Sequence, residues 1–377
     1  MTSSPLSGIT VVSVEQAVAA PLCTARLADA GARVIKIERD SGDFARGYDV
    51  AAAGDSSYFA WANHGKESVV LDIDAPDDAE LLERLAGAAD VFVQNLAPGA
   101  LARRGFGADD LRSRYPRLVT LDISGYGETP PFDRKRAYDL LVQAESGLVS
   151  VSGGPGELGR IGISLCDIGC GVTAHAAVLE ALVERSVSGV GASLAVSLFD
   201  VAAEWMTVPL SLHEGAHAGP ERLGLRHPSI APYGAFVTAE GSLTLIAVQN
   251  EREWLRLCDE VLGDAALACD PRFDSNVNRV ANRRDLEDHM GRVVASFGRD
   301  DFCDRLAAAS IAFGAVSSLD DLARHPALRR RAVIASGGEA ASLPAHPVRW
   351  SGVSPSSHPA VPKVGQHTEA IRAEFSG

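Results

Sequence analysis

The sequence predicts an α/β protein with a mostly parallel sheet, followed by a smaller α+β domain. Two patterns carry this. Short β-branched runs alternate with helical periodicity from residue 9 to residue 125, which is the signature of βαβ units. From about residue 233 the pattern changes to a hairpin followed by helical segments.

Each element has a local reason. ITVVSV (9–14) is a buried strand, and the helical segment after it runs from about Ala19 to Ala30, with Gly31 at its C-cap. ARVIKIE (32–38) and SVVLDI (68–73) are the next strands. DDAELLERLAGAA (77–89) is a helix with Asp at its start, DVFVQN (90–95) a strand and RLVTLDISG (117–125) another. KRAYDLLVQAESGL and CDIGCGVTAHAAVLEALVER are helical, and GASLAVSLFDVAAEWM (191–206) is a strand running into a helix. This sets a first large domain over 1–205, a Gly/Pro/His-rich linker over 206–232, a small α+β domain over 233–318 and a return segment over 319–377. The small domain opens with YGAFVTAEGSLTLIAVQN, a hairpin turned at Glu240-Gly241.

Composition narrows the function. The 377 residues carry 35 basic and 49 acidic side chains, a net charge of −14. That disfavours nucleic acid as a partner, because duplex binding needs clustered positive charge. The N-terminus has no signal-peptide pattern, and no apolar run approaches a membrane span. Cys23, Cys166, Cys170, Cys258, Cys269 and Cys303 are scattered without a CxxC pair, as expected of reduced thiols in the cytoplasm. No metal site is expected, since nothing near Cys166 and Cys170 completes a four-ligand set.

In parallel sheets ligands bind at the carboxyl ends of the strands. The segment after the first strand, EQAVAAPLCTARLADAG, lacks the GxGxxG that brings backbone against a pyrophosphate, so a nicotinamide or flavin enzyme is disfavoured. Asp167 precedes the apolar face of a helix. It reads either as an N-cap or as an exposed, ionised carboxylate able to attack an acyl carbon, with Gly162, Gly169 and Gly171 leaving room for substrate. Arg39, Arg46, Lys66, Arg103, Arg104, Lys135 and Arg136 fall where strand ends are expected. Together they point to a phosphate-bearing ligand, with Arg46, Lys135 and Arg136 also suited to a second substrate carboxylate.

SGITVVSVEQAVAAPLCTARLADAGARVIKIER, SGDFARG, KESVVLDI, VFVQNLAPGALARRGF, DISGYG, AYDLLVQAESGL and SLCDIGCG occur in this order. They resemble the class III CoA-transferase family, which includes formyl-CoA transferase, carnitine CoA-transferase and the α-methylacyl-CoA racemases. The likeness resumes in AVQNEREWLRLCDEVLG, PAHPVRWSG and VGQHTEAIRAEF. It implies an interlocked homodimer with a Rossmann-like large domain built from both chain ends. It also implies an enzyme that moves CoA from an acyl-CoA donor, such as succinyl-CoA, to a small carboxylic or dicarboxylic acid. Coenzyme A thioesters would be substrates, with no separate cofactor, nucleic acid or membrane involved.

By this resemblance Asp167 is the nucleophile and Tyr138 a further catalytic residue. Ala17, Val18, Arg39, Lys66, Asn95, Leu96, Arg103 and Arg136 are the substrate and CoA contacts. Arg39 matches a residue near the adenine, Asn95 and Leu96 an Asn–Phe pair beside the pantetheine, and Arg103 a residue near the phosphates. Val18 stands where formyl-CoA transferase has glutamine, which argues against that enzyme's acceptor site. Tyr138-Asp139 stands where the racemases have His-Asp. A tyrosine titrating near pH 10 is a poor acid/base at neutral pH, so the chain reads as a transferase. A racemase of the same fold and a non-catalytic CoA-binding protein are the alternatives.

Overall fold

The computed structural model describes residues 4–127, 129–216, 222–349 and 360–376. The chain runs β1 (Thr10–Val14), α1 (Ala19–Asp29), β2 (Arg33–Glu38), α2 (Ser57–Asn63), β3 (Glu67–Val70), α3 (Pro76–Ala88), β4 (Val91–Gln94), α4 (Ala108–Arg114) and β5 (Val119–Ser124). It continues through α5 (Asp139–Glu145), α6 (Leu148–Val151), α7 (Leu165–Ser188), β6 (Ser193–Ser197), α8 (Leu198–Trp205) and α9 (Thr207–Ala216).

These six strands form one sheet in the order β3-β2-β1-β4-β5-β6, every pair parallel. Side chains alternate between its faces as the pleat requires. Val11, Val34, Val91 and Val93 join one core with α1, α7 and α8. Val12, Val14, Ile35, Ile37 and Phe92 join the other, with Leu81, Leu82 and Leu85 of α3 and Leu111 of α4. Each such side chain fully buried contributes about 1.5–3 kcal/mol. The strand order reverses between β1 and β4, which opens a crevice beyond their carboxyl ends.

Helix α7 corrects one expectation. At 24 residues it is long and apolar enough to span a bilayer. Here its buried face packs on α1 and the sheet. The glycines of this helix also have a different purpose from the expected one. A Cβ on Gly169 would stand 2.0 Å from the Trp205 ring, and one on Gly171 would stand 2.6 Å from the Ala19 carbonyl. They admit neighbouring helices, not substrate. Gly162 has open space around it.

The first compact unit spans Met1–Leu148, Arg160–Val208 and Arg329–Gly377, so the chain returns to it at the end. In that return, β10 (Arg330–Ile334) and β11 (Ala340–Pro344) form a hairpin, and α15 (Thr368–Glu374) packs Ile371 into the α3–α4 core. Thr368 Oγ1 accepts the Val70 N–H at 2.9 Å, and Arg33 pairs with both Glu67 and Glu374. Residues 350–352 of the PAHPVRWSG segment lie outside the described residues.

The second unit, Val149–Gly159 with Pro209–Leu328, carries β7 (Tyr233–Val237), β8 (Leu243–Ala247) and β9 (Ala312–Ala315) as an antiparallel sheet. Strands β7 and β8 are the expected hairpin, and Gly241 takes φ +78° at its turn. Helices α10 (Glu251–Arg256), α11 (Asn276–Ala281), α12 (Arg283–Val294), α13 (Arg299–Ala308) and α14 (Leu319–Arg324) follow the chain around β9. The core holds Trp254, Phe273, Met290 and Phe302. Buried Arg279 is satisfied by Glu251 and by the carbonyls of Ala231 and Phe273. Within this unit the Gly153 carbonyl accepts the Gly224 N–H at 3.1 Å. Residues 207–216 form helix α9 where linker was expected, and residues 217–221 of that stretch lie outside the described residues.

Candidate active site

A cavity of about 750 Å³ opens in the first unit, at the crevice between β1 and β4. The loops after β1, β4 and β5 line it, together with the start of α7. Of the expected residues, Ala17, Val18, Asn95, Leu96, Arg136, Tyr138 and Asp167 all face it.

Asn95 ties the two central loops together. Its Oδ1 accepts the Gln16 N–H at 2.9 Å, and its Nδ2 donates to the Gln16 carbonyl at 2.8 Å. Ala17 then takes the left-handed region, φ +65°, which is unfavourable for a residue with a Cβ. Its N–H donates to Asp43 Oδ1 at 3.1 Å, which holds the turn. Val18 supplies no side-chain cap to α1, whose first turn carries the N–H groups of Ala19 and Ala20, Pro21 having none.

Behind this turn lies a chain of four buried charges. Asp43 Oδ2 accepts from Lys36 Nζ at 2.8 Å, Lys36 Nζ stands 3.8 Å from Glu15, and Glu15 Oε1 accepts from Lys66 Nζ at 2.7 Å. All four side chains are wholly buried. Thr24 Oγ1 also donates to Glu15, and Lys66 reaches the Pro21 carbonyl and Asn63 Oδ1. Lys66 is therefore not a phosphate ligand. Its ammonium is enclosed in this cluster, where burial lowers its pKa to about 8.

Three other cations are likewise committed, Arg104 by a fork onto Asp74 at 2.6 and 2.8 Å. Arg46, expected near a substrate carboxylate, forks onto Glu38, donates to the Pro362 carbonyl and stacks 3.7 Å from the Phe59 centroid. Lys135 pairs with Glu145 at 2.5 Å and lies over the Tyr126 ring. Arg39 and Arg103 are exposed and do not line the cavity. Arg136 and Arg160 do line it, and neither has an ion-pair partner among the described residues. Arg160 was missed in the sequence. Its only signal there is its place in the glycine-rich loop shortly before Asp167. Also missed was an aromatic wall of Phe44, Tyr48 and Tyr58, with the two tyrosine rings edge-on at 5.4 Å. Burial, with Asp43 and Asp167 nearby, pushes the Tyr48 hydroxyl up to about 12.

Asp167 sits in the first turn of α7, whose N-cap is Ser164, so the N-cap reading is wrong. A different carboxylate does the capping. Asp139 Oδ1 accepts the N–H groups of Cys166 at 2.7 Å and Asp167 at 3.2 Å. The expected exposed, ionised carboxylate is also corrected. Asp167 is half-buried, and burial together with the Asp139 charge raises its pKa to about 7. Tyr138 is 63 % exposed, on the rim. Cys166 and Cys170 lie buried beneath Asp167, and burial pushes the Cys166 thiol up to about 12. No group of three or more metal-ligating side chains occurs among the described residues.

A carboxylate at a helix start, beside uncapped N–H groups in a crevice of a parallel sheet, makes an α/β enzyme site suited to acyl chemistry. Residues 6–368 match the CoA-transferase family III, and the chain belongs to that family. It is an enzyme of the CoA-transferase class. The acetyl-CoA:oxalate CoA-transferase of Acetobacter aceti is 34 % identical over 99 % of this chain and 96 % of its own. The succinate–glutarate CoA-transferase of Agrobacterium fabrum is 30 % identical over 98 % and 96 %. Among solved structures, a CAIB/BAIF family protein from Brucella suis superposes with a TM-score of 0.83 at 29 % identity, covering 99 % of this chain and 100 % of that one. Rv3272 from Mycobacterium tuberculosis, in its orthorhombic form, gives 0.87 at 28 % identity, covering 98 % and 100 %.

Two predictions follow from these environments. Lys66→Met removes the nearest cation from the buried Glu15, leaving Lys36 at 3.8 Å, and is expected to cost about 3–5 kcal/mol of stability by chemical denaturation. Arg136→Ala and Arg160→Ala, on the exposed rim, are expected to stay within about 0.5 kcal/mol of wild type. Equal losses in all three would contradict the assignment.

The second concerns Asp167. Its pKa is raised above the ordinary carboxyl value, so between about pH 4 and pH 7 the folded state holds a proton that the unfolded state has released. Its contribution to stability therefore declines as pH rises through that window. Asp167→Asn is expected to stabilise the protein at pH 8 by about 1–3 kcal/mol and to lose that advantage near pH 4. Denaturation curves at the two pH values measure it.

Proposed function

We propose that the protein transfers CoA from an acyl-CoA donor, succinyl-CoA foremost, to a small carboxylic or dicarboxylic acid through a covalent intermediate on Asp167. The observation that carries this reading is the Asp167 carboxylate at the start of α7, inside the cavity formed by the loops after β1, β4 and β5.

The chemistry balances. Asp167 attacks the donor thioester carbonyl, giving a mixed anhydride and CoA thiolate. The thiolate attacks the aspartyl carbonyl, expels the donor acid and leaves an aspartyl-CoA thioester. The acceptor carboxylate attacks that carbonyl, again giving an anhydride and thiolate. The thiolate then takes the acceptor's acyl group and frees Asp167. Each step conserves the energy of an activated acyl bond, so no other energy source is needed. The first-turn N–H groups of α1 suit a developing oxyanion. Arg136 and Arg160 suit the CoA phosphates or a second carboxylate.

The relatives named for oxalate and glutarate support a dicarboxylate acceptor. Tyr138 argues against racemisation, since a phenol exchanges α-protons poorly at neutral pH. The reading extends to a cytoplasmic, interlocked homodimer.

With donor and acceptor pairs screened by mass spectrometry of the CoA esters, Asp167→Asn is expected to lower turnover about 10³-fold or more while CoA affinity stays within a few-fold. Hydroxylamine should trap an adduct on Asp167 in the wild type. Retained transfer with no adduct there would sink the covalent mechanism.

Interlocked chains separate only by unfolding, so sedimentation should find a dimer at every dilution. A folded, active monomer at low concentration would overturn that assembly.

A further inference from the structure

The charged side chains lining the cavity are not equally open to a ligand. Lys135 is paired with Glu145, Asp133 has interactions of its own, and Asp139 is committed to N–H groups of α7. Asp167 is the carboxylate assigned to the chemistry above. Arg136 and Arg160 remain, both exposed and without an ion-pair partner among the described residues. Arg160 is set apart by how its backbone is held.

Arg160 stands at the head of the stretch that runs into α7, and Asp167 lies in the first turn of that helix. The stretch is fastened to α5 at both ends. Buried Gln143 accepts the Ile161 N–H through Oε1 at 2.9 Å, and its Nε2 lies 3.2 Å from the Ile163 carbonyl. Asp139 accepts the N–H groups of Cys166 and Asp167. The backbone that carries the guanidinium and the carboxylate is thus fixed. Yet the two side chains do not meet. No ion pair joins them, and burial and the Asp139 charge both raise the pKa of Asp167 with no cation lowering it. A guanidinium in contact would pull it down. The cavity therefore presents a cation and a carboxylate on one fixed stretch of chain, with room for a ligand to bridge them.

We infer that Arg160 is a specificity-determining residue for the acceptor: it pairs with the free carboxylate of a dicarboxylic acid whose other carboxylate reacts at Asp167. This rests on the proposed function for which end reacts. The reacting carboxylate must be free to attack the aspartyl-CoA carbonyl, so it cannot be clamped by a guanidinium. The far carboxylate takes no part in bond making and is the one a guanidinium can hold. Arginine suits it, because its two parallel N–H groups fix direction as well as charge. Arg160 is exposed, so a monocarboxylic acid loses the pairing without meeting a buried unpaired charge. The discrimination is therefore graded, about 10- to 100-fold, the worth of a hydrogen-bonded charge pair. The transfer runs through the same site in both directions, so the free carboxylate of a dicarboxylic donor thioester uses the same contact.

The test compares glutarate with valerate, which has a methyl group in place of one carboxylate. Isothermal titration calorimetry of the full-length protein with free CoA present gives the ratio of their affinities. Wild type is expected to prefer glutarate by about 10- to 100-fold. In Arg160→Gln the ratio is expected to fall close to one. Arg160→Lys keeps the charge without the fork and is expected to lie between the two. Arg136→Gln is expected to keep the wild-type ratio. A ratio unchanged in Arg160→Gln, or lost in Arg136→Gln instead, overturns the inference, as does a wild type without the preference. A ratio in Arg160→Lys no higher than in Arg160→Gln also overturns the pairing. Binding needs no turnover. A wild type that shows the preference, and loses it with Arg160, but transfers no CoA counts against the proposed function and leaves the Arg160 site standing. Transfer to glutarate and valerate with equal kcat/KM upholds the proposed function and overturns the role of Arg160.

Discussion

Four buried charges in the order Asp43, Lys36, Glu15 and Lys66 hold the ends of β1 and β2 to the start of α1. The crevice between β1 and β4 depends on them. Glu15 is the first residue beyond β1, and Asp43 fixes the Ala17 N–H in the left-handed turn that leads into α1. Such a cluster gains little stability over apolar packing, because burying each ion costs several kcal/mol that its partners only repay with good geometry. What it provides is direction. Every donor and acceptor in it has one matching partner set, so the loop has one way to lie.

The same logic operates twice around Asp167. Asn95 fixes the loop after β4 to the loop after β1 by a reciprocal pair of hydrogen bonds. Asp139 and Gln143 fix the approach to α7. The cavity is thus walled by loops whose backbone groups are held by side chains from neighbouring elements, and the exposed cations sit on its rim. Walls held in this way suit a site that keeps a bound group in one orientation.

Much of the fold was legible from periodicity alone. The six strands of the parallel sheet, the β7–β8 hairpin and the α7 helix lie where the β-branched runs, the Glu240-Gly241 turn and the apolar face of the CDIGCG segment point. Strand β9 was not legible, because AFGA is short, exposed and without alternation. Helix α9 was not either, because the adjoining Gly, Pro and His residues resemble a linker. The cations divided less cleanly. Lys66, Arg46 and Arg136 look alike as letters near strand ends, yet the first two are enclosed by carboxylates and only the third meets the cavity.

What the sequence by itself determined is therefore local: which runs pair as strands, which face of each helix is apolar, and that one aspartate stands at a helix start among glycines. These follow from a chain's own spacing and need no knowledge of distant residues. What only the tertiary structure decided is which charges are partnered, what the glycines admit and how acidic Asp167 is. Lys66 meets Glu15, Gly169 meets Trp205, and Asp139 meets the first turn of α7 across spans of sequence that carry no pairing signal. A side chain's chemistry is set by its surroundings, through desolvation and Coulomb interaction, and those surroundings exist only once the chain has folded.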